Sequence, residues 1–144
     1  MNSLNFLDIN VWLALSWGRH SHAEAAREWF EKREDERFLF CRFTQLGLLR
    51  LLTTPAVMGK DVQSMPRAWQ AYDEWLTDER IAFLEEPAGL EHRFRSFARS
   101  PHAAPKLWAD AYLAAFASSA GLRLVTFDKG FRSKSVETVV LAMK

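Results

Sequence analysis

Cysteine is almost missing from this chain. The single thiol, Cys41, sits inside RFLFCRF. One thiol closes no disulfide within the chain, and in an apolar stretch it reads as a small buried hydrophobe. Long hydrophobic runs are missing too. No stretch approaches the roughly 20 apolar residues of a membrane helix, and the start of the chain lacks the basic-then-apolar pattern of a signal peptide. The expectation is a cytoplasmic protein with no membrane partner. Charge of one sign is equally scarce. Lys and Arg number 19 against 18 Asp and Glu, a formal net charge of +1. No global basic field marks a nucleic-acid binder, so an RNA partner would have to be held by a local patch. Repeats, low-complexity tracts and linkers do not occur. What is there is an ordinary globular composition, 49% hydrophobic and 26% charged over 144 residues. That fits one domain, 1–144, built on one core.

Short apolar strands alternate with amphipathic helices. LNFLD (residues 4–8) reads as a buried strand, and NVWLALSW turns directly into a helix with Asn10 as its cap. SHAEAAREWFEKR opens on a capping box, Ser21 with Glu24, and places Ala23, Ala26 and Phe30 on one face. RFLFC (37–41) is the second strand. TQLGLLRLLTTP (44–55) is a third helix, stopped by Pro55. Its Gly47 costs about 1 kcal/mol against alanine. PRAWQAYDEWL, RIAFLEEP and GLEHRFRSFA follow as helix, strand and helix. PKLWADAYLAAFASSAG (105–121) is the clearest helix, with proline at its start and glycine at its stop. LRLVTFD and VETVVLAM complete a set of five strands. Strands separated by helices imply right-handed crossovers and a mainly parallel five-stranded sheet flanked by helices, a three-layer α/β domain.

In such sheets functional groups gather beyond the carboxyl ends of the strands. Asp8 ends the first strand and Asp128 follows the fourth, so both belong to one edge. They are close if those strands are neighbours, which the sequence leaves open. Asp110 lies early in the helix that leads into the fourth strand. Its helical neighbours are Lys106, Leu107, Leu113 and Ala114, an apolar set apart from the lysine. Three aspartates on one edge repel, and without compensation at least one takes up a proton. A divalent cation resolves this, and carboxylate oxygens favour Mg²⁺ or Mn²⁺ over zinc. The chemistry suggested is metal-assisted phosphodiester hydrolysis. Each acid also has a plain structural role open to it: a cap or turn for Asp8 and Asp128, and an internal ion pair with Lys106 or Arg123 for Asp110.

These residues carry a resemblance. The chain resembles the PIN-domain ribonucleases, and more closely the VapC-type toxins of bacterial toxin–antitoxin pairs. LDINVWLAL looks like the family's opening strand and acid, and FCRFTQLGLLRLLTTPAVMG like its second strand and third helix. The most specific block, KLWADAYLAAFASSAGLRLVTFDKGF, looks like its closing unit. The resemblance implies a PIN-like fold and a Mg²⁺- or Mn²⁺-dependent endoribonuclease acting on cellular RNA. It also implies a homodimer neutralised by a VapB-like antitoxin. It makes Asp8, Asp110 and Asp128 the metal-site acids, and Asn10 and Thr126 the polar residues that support them. In one place the chain departs from the family. A glutamate commonly stands three positions after a threonine on the third helix, and here Thr44 is followed at that distance by Gly47. Fewer ions with water completing the site, a reach from Glu85 or Glu86, weak activity, and close helix packing at the glycine are all open. One ion held through Asp8 and Asp110 is the expected state.

Arg42, Arg50, Lys106, Lys129 and Arg132 lie near the edge in the sequence and are candidates to hold RNA phosphates. His20 and His22 form a histidine–x–histidine, read as part of a helix-start loop. Most of the six tryptophans belong to the core, and some are expected to line an apolar groove for the antitoxin's helix. Two alternatives stand beside the nuclease. One is a PIN-fold module that binds RNA or antitoxin without cutting. The other is an aspartyl-phosphate phosphohydrolase with Asp8 as nucleophile, which Asn10 disfavours because that chemistry wants an acid there.

Overall fold

The computed structural model describes residues 3–133 and 136–142, and the side chains of Arg132 and Ser133 lie outside the described residues. Strand β1 (Leu4–Leu7) leads into helices α1 (Ile9–Ser16) and α2 (Ala23–Glu31), then β2 (Arg37–Phe40). Helices α3 (Arg42–Leu52), α4 (Pro55–Met58) and α5 (Met65–Trp75) precede β3 (Ile81–Phe83). Helices α6 (Leu90–Phe97) and α7 (Leu107–Ala120) precede β4 (Arg123–Thr126), and β5 (Thr138–Val140) closes the sheet. The strand order is β3-β2-β1-β4-β5, and every pairing is parallel.

The strands alternate faces with the period of two that a pleated sheet imposes. Phe6, Leu39 and Leu124 pack under α7, where Phe6 stacks on Phe116 with ring centroids 4.7 Å apart. Leu7, Phe38, Phe40 and Val125 face the other way, into a core shared with Trp12, Leu48 and Leu52. There Trp12 lies flat on Phe40. Both faces are covered, which is why these strands read as nearly unbroken apolar runs. Among the described residues no helix is long and apolar enough to cross a membrane.

Three local expectations fail, each for a physical reason. Asp8, not Asn10, caps α1: its carboxylate accepts the Ile9 N–H, and Asn10 is exposed inside the first turn. Helix α2 begins at Ala23 behind His22, with no side-chain cap, so the Ser21–Glu24 box does not form. Pro55 does not simply stop a helix, because it also opens α4, its fixed φ suiting a first helical position. A 3₁₀ turn, Gly59–Asp61, follows α4. Tryptophan burial is split. Trp12 and Trp29 are core, whereas Trp69 and Trp108 are 47% and 61% exposed.

Candidate active site

The sheet reverses its winding direction between β1 and β4. From β1 the chain moves to β2 on one side, and from β4 it moves to β5 on the other. In parallel sheets that reversal opens a crevice at the carboxyl ends. Asp8 and Asp128 flank it. Leu7 pairs with Val125 across the two strands, and the Asp8 N–H donates to the Val125 carbonyl at 2.9 Å, carrying the ladder one residue further. The neighbourhood the sequence left open is therefore settled: the first and fourth strands are adjacent.

One hydroxyl ties the two acids together. Thr126, fully buried at the end of β4, donates to Asp8 Oδ2 at 2.9 Å. The Thr126 hydroxyl oxygen itself accepts the Asp128 N–H at 3.0 Å. The other Asp8 oxygen, Oδ1, takes the Ile9 N–H at 2.7 Å. Asp128 is exposed and turns its Oδ1 onto the Gly130 N–H at 2.8 Å. Burial pushes the Asp8 carboxyl above its ordinary value. The bonds from Thr126 and Ile9 pull it back, and the charge of Asp128 adds to the rise.

Asp110 stands half-buried in the first turn of α7. Helix α7 feeds through Gly121 straight into β4, so the two run in opposite directions. A helix of 14 residues spans about 21 Å and a strand of four about 13 Å, which carries the helix's first turn to the carboxyl edge. Gly121, at φ 69°, makes the reversal with the left-handed conformation that glycine accepts most easily. Among the described residues, no group of three or more histidine, cysteine, aspartate or glutamate side chains stands close enough to share a metal ion.

The remaining candidates divide. Arg42 opens α3 at this edge, its guanidinium 4.7 Å above the Phe83 ring and bonded to Gln45. Lys106, at the cap of α7, and Lys129, beside Asp128, are exposed there. Arg50 is not at the edge. It lies eight residues beyond Arg42 on α3, about 12 Å along the helix, where it lines a groove between α3 and α5. Arg132's side chain lies outside the described residues. Arg123, weighed as a partner for Asp110, instead bonds Asn5 and Glu36 at the opposite edge. Glu86 accepts the Tyr112 hydroxyl at 3.1 Å. Tyr112 projects from α7 about 200° around from Asp110, so this bond ties Glu86 to the other side of the helix.

Gly47 has a steric explanation. A Cβ there would lie 2.7 Å from Ile9 Cγ1 and closer still to Cδ1. Ile9, the residue after Asp8, fills the space a side chain at 47 would need, and α1 and α3 touch through the gap. One neighbour of the site carries no sequence signal: His22 stacks on Phe127, next to Asp128, with centroids 4.4 Å apart. Nothing in the spacing of residues 22 and 127 announces that contact.

Residues 6–137 match the family model described as PIN domain. The chain is 46% identical over 130 residues to Ribonuclease VapC41 of Mycobacterium tuberculosis, covering 86% of this chain and 88% of that one. It is 29% identical over 131 residues to Ribonuclease VapC38 of the same organism, covering 86% and 84%. Among solved structures it aligns with VapBC2 from Rickettsia felis bound to a promoter DNA fragment, with a TM-score of 0.70 at 11% identity over 96% and 98% of the two chains. It also aligns with Mycobacterium tuberculosis VapC20, a sarcin-ricin loop cleaving toxin, with a TM-score of 0.66 at 16% identity over 88% and 92%. At those identities the structures speak for the fold alone.

Proposed function

Because the chain belongs to the PIN-domain family, among the ribonucleases named VapC, we propose that it is a single-domain, metal-dependent endoribonuclease toxin of the cytoplasm, held in check by a cognate VapB-like antitoxin. The observation that supports the site is the Asp8–Thr126–Asp128 relay at the reversal point of the sheet, with Asp110 in the first turn of α7.

The donor set fits a hard divalent ion. It offers carboxylate oxygens and no soft ligand, and Asp8 is raised by burial and by a neighbouring negative charge, both of which a cation relieves. On this reading Asp8 and Asp110 hold one Mg²⁺ or Mn²⁺, and Asp128 reaches it through water, because no three such side chains among the described residues stand close enough to share an ion directly. Bound there, such an ion supplies charge stabilisation for displacement at a phosphodiester and acidifies water. The protein's own residues do the rest. Thr126 and the Ile9 N–H fix the Asp8 carboxylate, and Asn10 flanks it from the first turn of α1. Arg42, Lys106 and Lys129 receive the phosphates of the RNA.

The same reading makes the chain a homodimer. It gives the antitoxin's helix the apolar groove of about 310 Å³ between α3 and α5, where Leu46, Leu49, Met65 and Trp69 are the apolar anchors. The test of the activity is cleavage of total RNA with Mg²⁺ or Mn²⁺ by wild type and by Asp8→Ala. Wild type alone is expected to cut, and equal cutting by both proteins would defeat the assignment. A second reading draws on Ile9 filling the space at Gly47: a PIN-fold module that binds RNA or antitoxin without cutting. It predicts binding that survives Asp110→Ala and no metal-dependent cleavage.

A further inference from the structure

Trp108 is the most exposed tryptophan of the two that the fold leaves on the surface, at 61%. It stands in the first turn of α7, the same turn as Asp110, and so at the catalytic edge. An exposed indole leaves one of the largest apolar side chains in water, and beside apolar hollows it offers a contact surface for a partner. Its surroundings narrow the choice. The indole walls two adjoining hollows. One, of about 500 Å³, is lined by Glu91, Phe94, Arg95 and Ala98, and the other, of about 400 Å³, by Ala98, His102 and Pro105 among others. Phe94 meets its ring edge-on, with centroids 6.2 Å apart. With 61% of the residue exposed, the indole is accessible to a flat ligand.

Charge then selects the ligand. Residues 90–107 carry four basic side chains, Arg93, Arg95, Arg99 and Lys106, against one acid, Glu91, a formal +3 in a chain of +1. The rest of the protein is therefore net negative. Arg93 is engaged by Ser118 further along α7, and Arg95 makes an exposed pair with Glu91. Arg99 and Lys106 are exposed and make no ion pair among the described residues. An exposed indole directly following the chain's basic segment is the composition of a single-stranded nucleic-acid platform. The α3–α5 groove, by contrast, is lined by Leu46, Leu49, Met65, Ala68 and Trp69 around a single arginine and suits a protein helix better.

We infer that Trp108 is the base-stacking platform of this nuclease. An unpaired nucleotide next to the scissile phosphate lays its base on the indole, and Arg99 and Lys106 hold the phosphates on either side. The assignment rests on the ribonuclease reading and adds to it a selection device: only a base freed from its duplex stack can lie on Trp108. Stacking tolerates every base, so the platform selects for strandedness and leaves sequence to other contacts.

The test is binding of an end-labelled, single-stranded RNA of about 12 nucleotides, followed by fluorescence anisotropy in EDTA so that nothing is cut. The proteins are wild type, Trp108→Ala, Trp108→Gln and Trp108→Phe, and an abasic strand of equal length serves as the second probe. Loss of one base–aromatic stack weakens binding about tenfold or more. That loss is expected in Trp108→Ala and Trp108→Gln, with Trp108→Phe within about threefold of wild type and the abasic strand bound alike by all. Unchanged affinity in both non-aromatic variants overturns the assignment. So does an equal loss with the abasic strand, which would make Trp108 a support for the phosphate contacts and not a stacking surface. Cleavage of total RNA by the same wild-type preparation in Mg²⁺ separates the two levels. No cutting overturns the ribonuclease reading together with this one, whereas cutting with unaltered variant affinity overturns the stacking role alone.

Discussion

Asp8 spends one oxygen on the Ile9 amide and the other on the Thr126 hydroxyl, yet its pKa still stands above the ordinary value because burial outweighs those bonds. The sign of the consequence follows from linkage. Between the unfolded and the raised folded pKa the native state keeps a proton that the unfolded chain has released. The stability this gives is full below the unfolded value and is lost as pH rises through the folded one. At neutral pH the ion-free protein therefore carries Asp8 as a cost. Asp8→Asn keeps a good N-cap and removes the buried charge. In EDTA at pH 7 the variant should melt above wild type, with the gap closing as pH falls into the carboxylate range. Added Mg²⁺ or Mn²⁺ should raise the wild-type Tm and leave the variant's unchanged. Thr126→Val preserves shape but strands the Asp128 N–H and frees the Asp8 carboxylate. It should cost about 1–3 kcal/mol in a urea titration and cut cleavage roughly 10- to 100-fold.

Between elements, the contact that matters most is α1 against α3. Gly47 and Ile9 are complementary: any Cβ at 47 meets the isoleucine side chain. Gly47→Ala should destabilise by about 1–3 kcal/mol through overpacking. In an Ile9→Ala background the same change should be neutral or stabilise by up to about 1 kcal/mol, as helix propensity dictates. A urea double-mutant cycle measures the difference. The sequence carries this feature only as a puzzle, a glycine where a glutamate is common, because the answer lies on another helix. Apolar periodicity is local, so the alternation of strands and helices was readable along the whole chain. Caps were not. Asp8, Asn10 and Ser21 are all good cap residues, and choosing among them takes the backbone geometry. Pro55 carries two opposite signals, stop and start, and the turn after it was lost for that reason.

At the scale of the molecule the two edges of the sheet have different work. The amino edge is tied by Arg123, which bonds Asn5 at 2.6 Å and Glu36 at 2.7 Å and so joins β1, β4 and the entry to β2. Arg123→Ala should cost about 3 kcal/mol in chemical denaturation while leaving the cleavage rate per folded molecule unchanged. The carboxyl edge carries Asp8 and Asp128, linked through Thr126. That Asp8 and Asp128 share an edge was legible from strand ends alone. That their strands are neighbours was not, because the order β3-β2-β1-β4-β5 is fixed by packing between residues far apart in the chain. The exposed Trp108 was equally hidden, since an indole in a helix reads as core until its neighbours are known. Activity requires that these acids hold one ion. Titration of RNA-free protein with Mn²⁺ by calorimetry tests this most directly. Wild type should bind one ion per chain, and Asp8→Asn and Asp110→Asn should each lose at least about tenfold in affinity. Undiminished binding by Asp8→Asn, or RNA cleavage by a wild type that binds no ion, would contradict it.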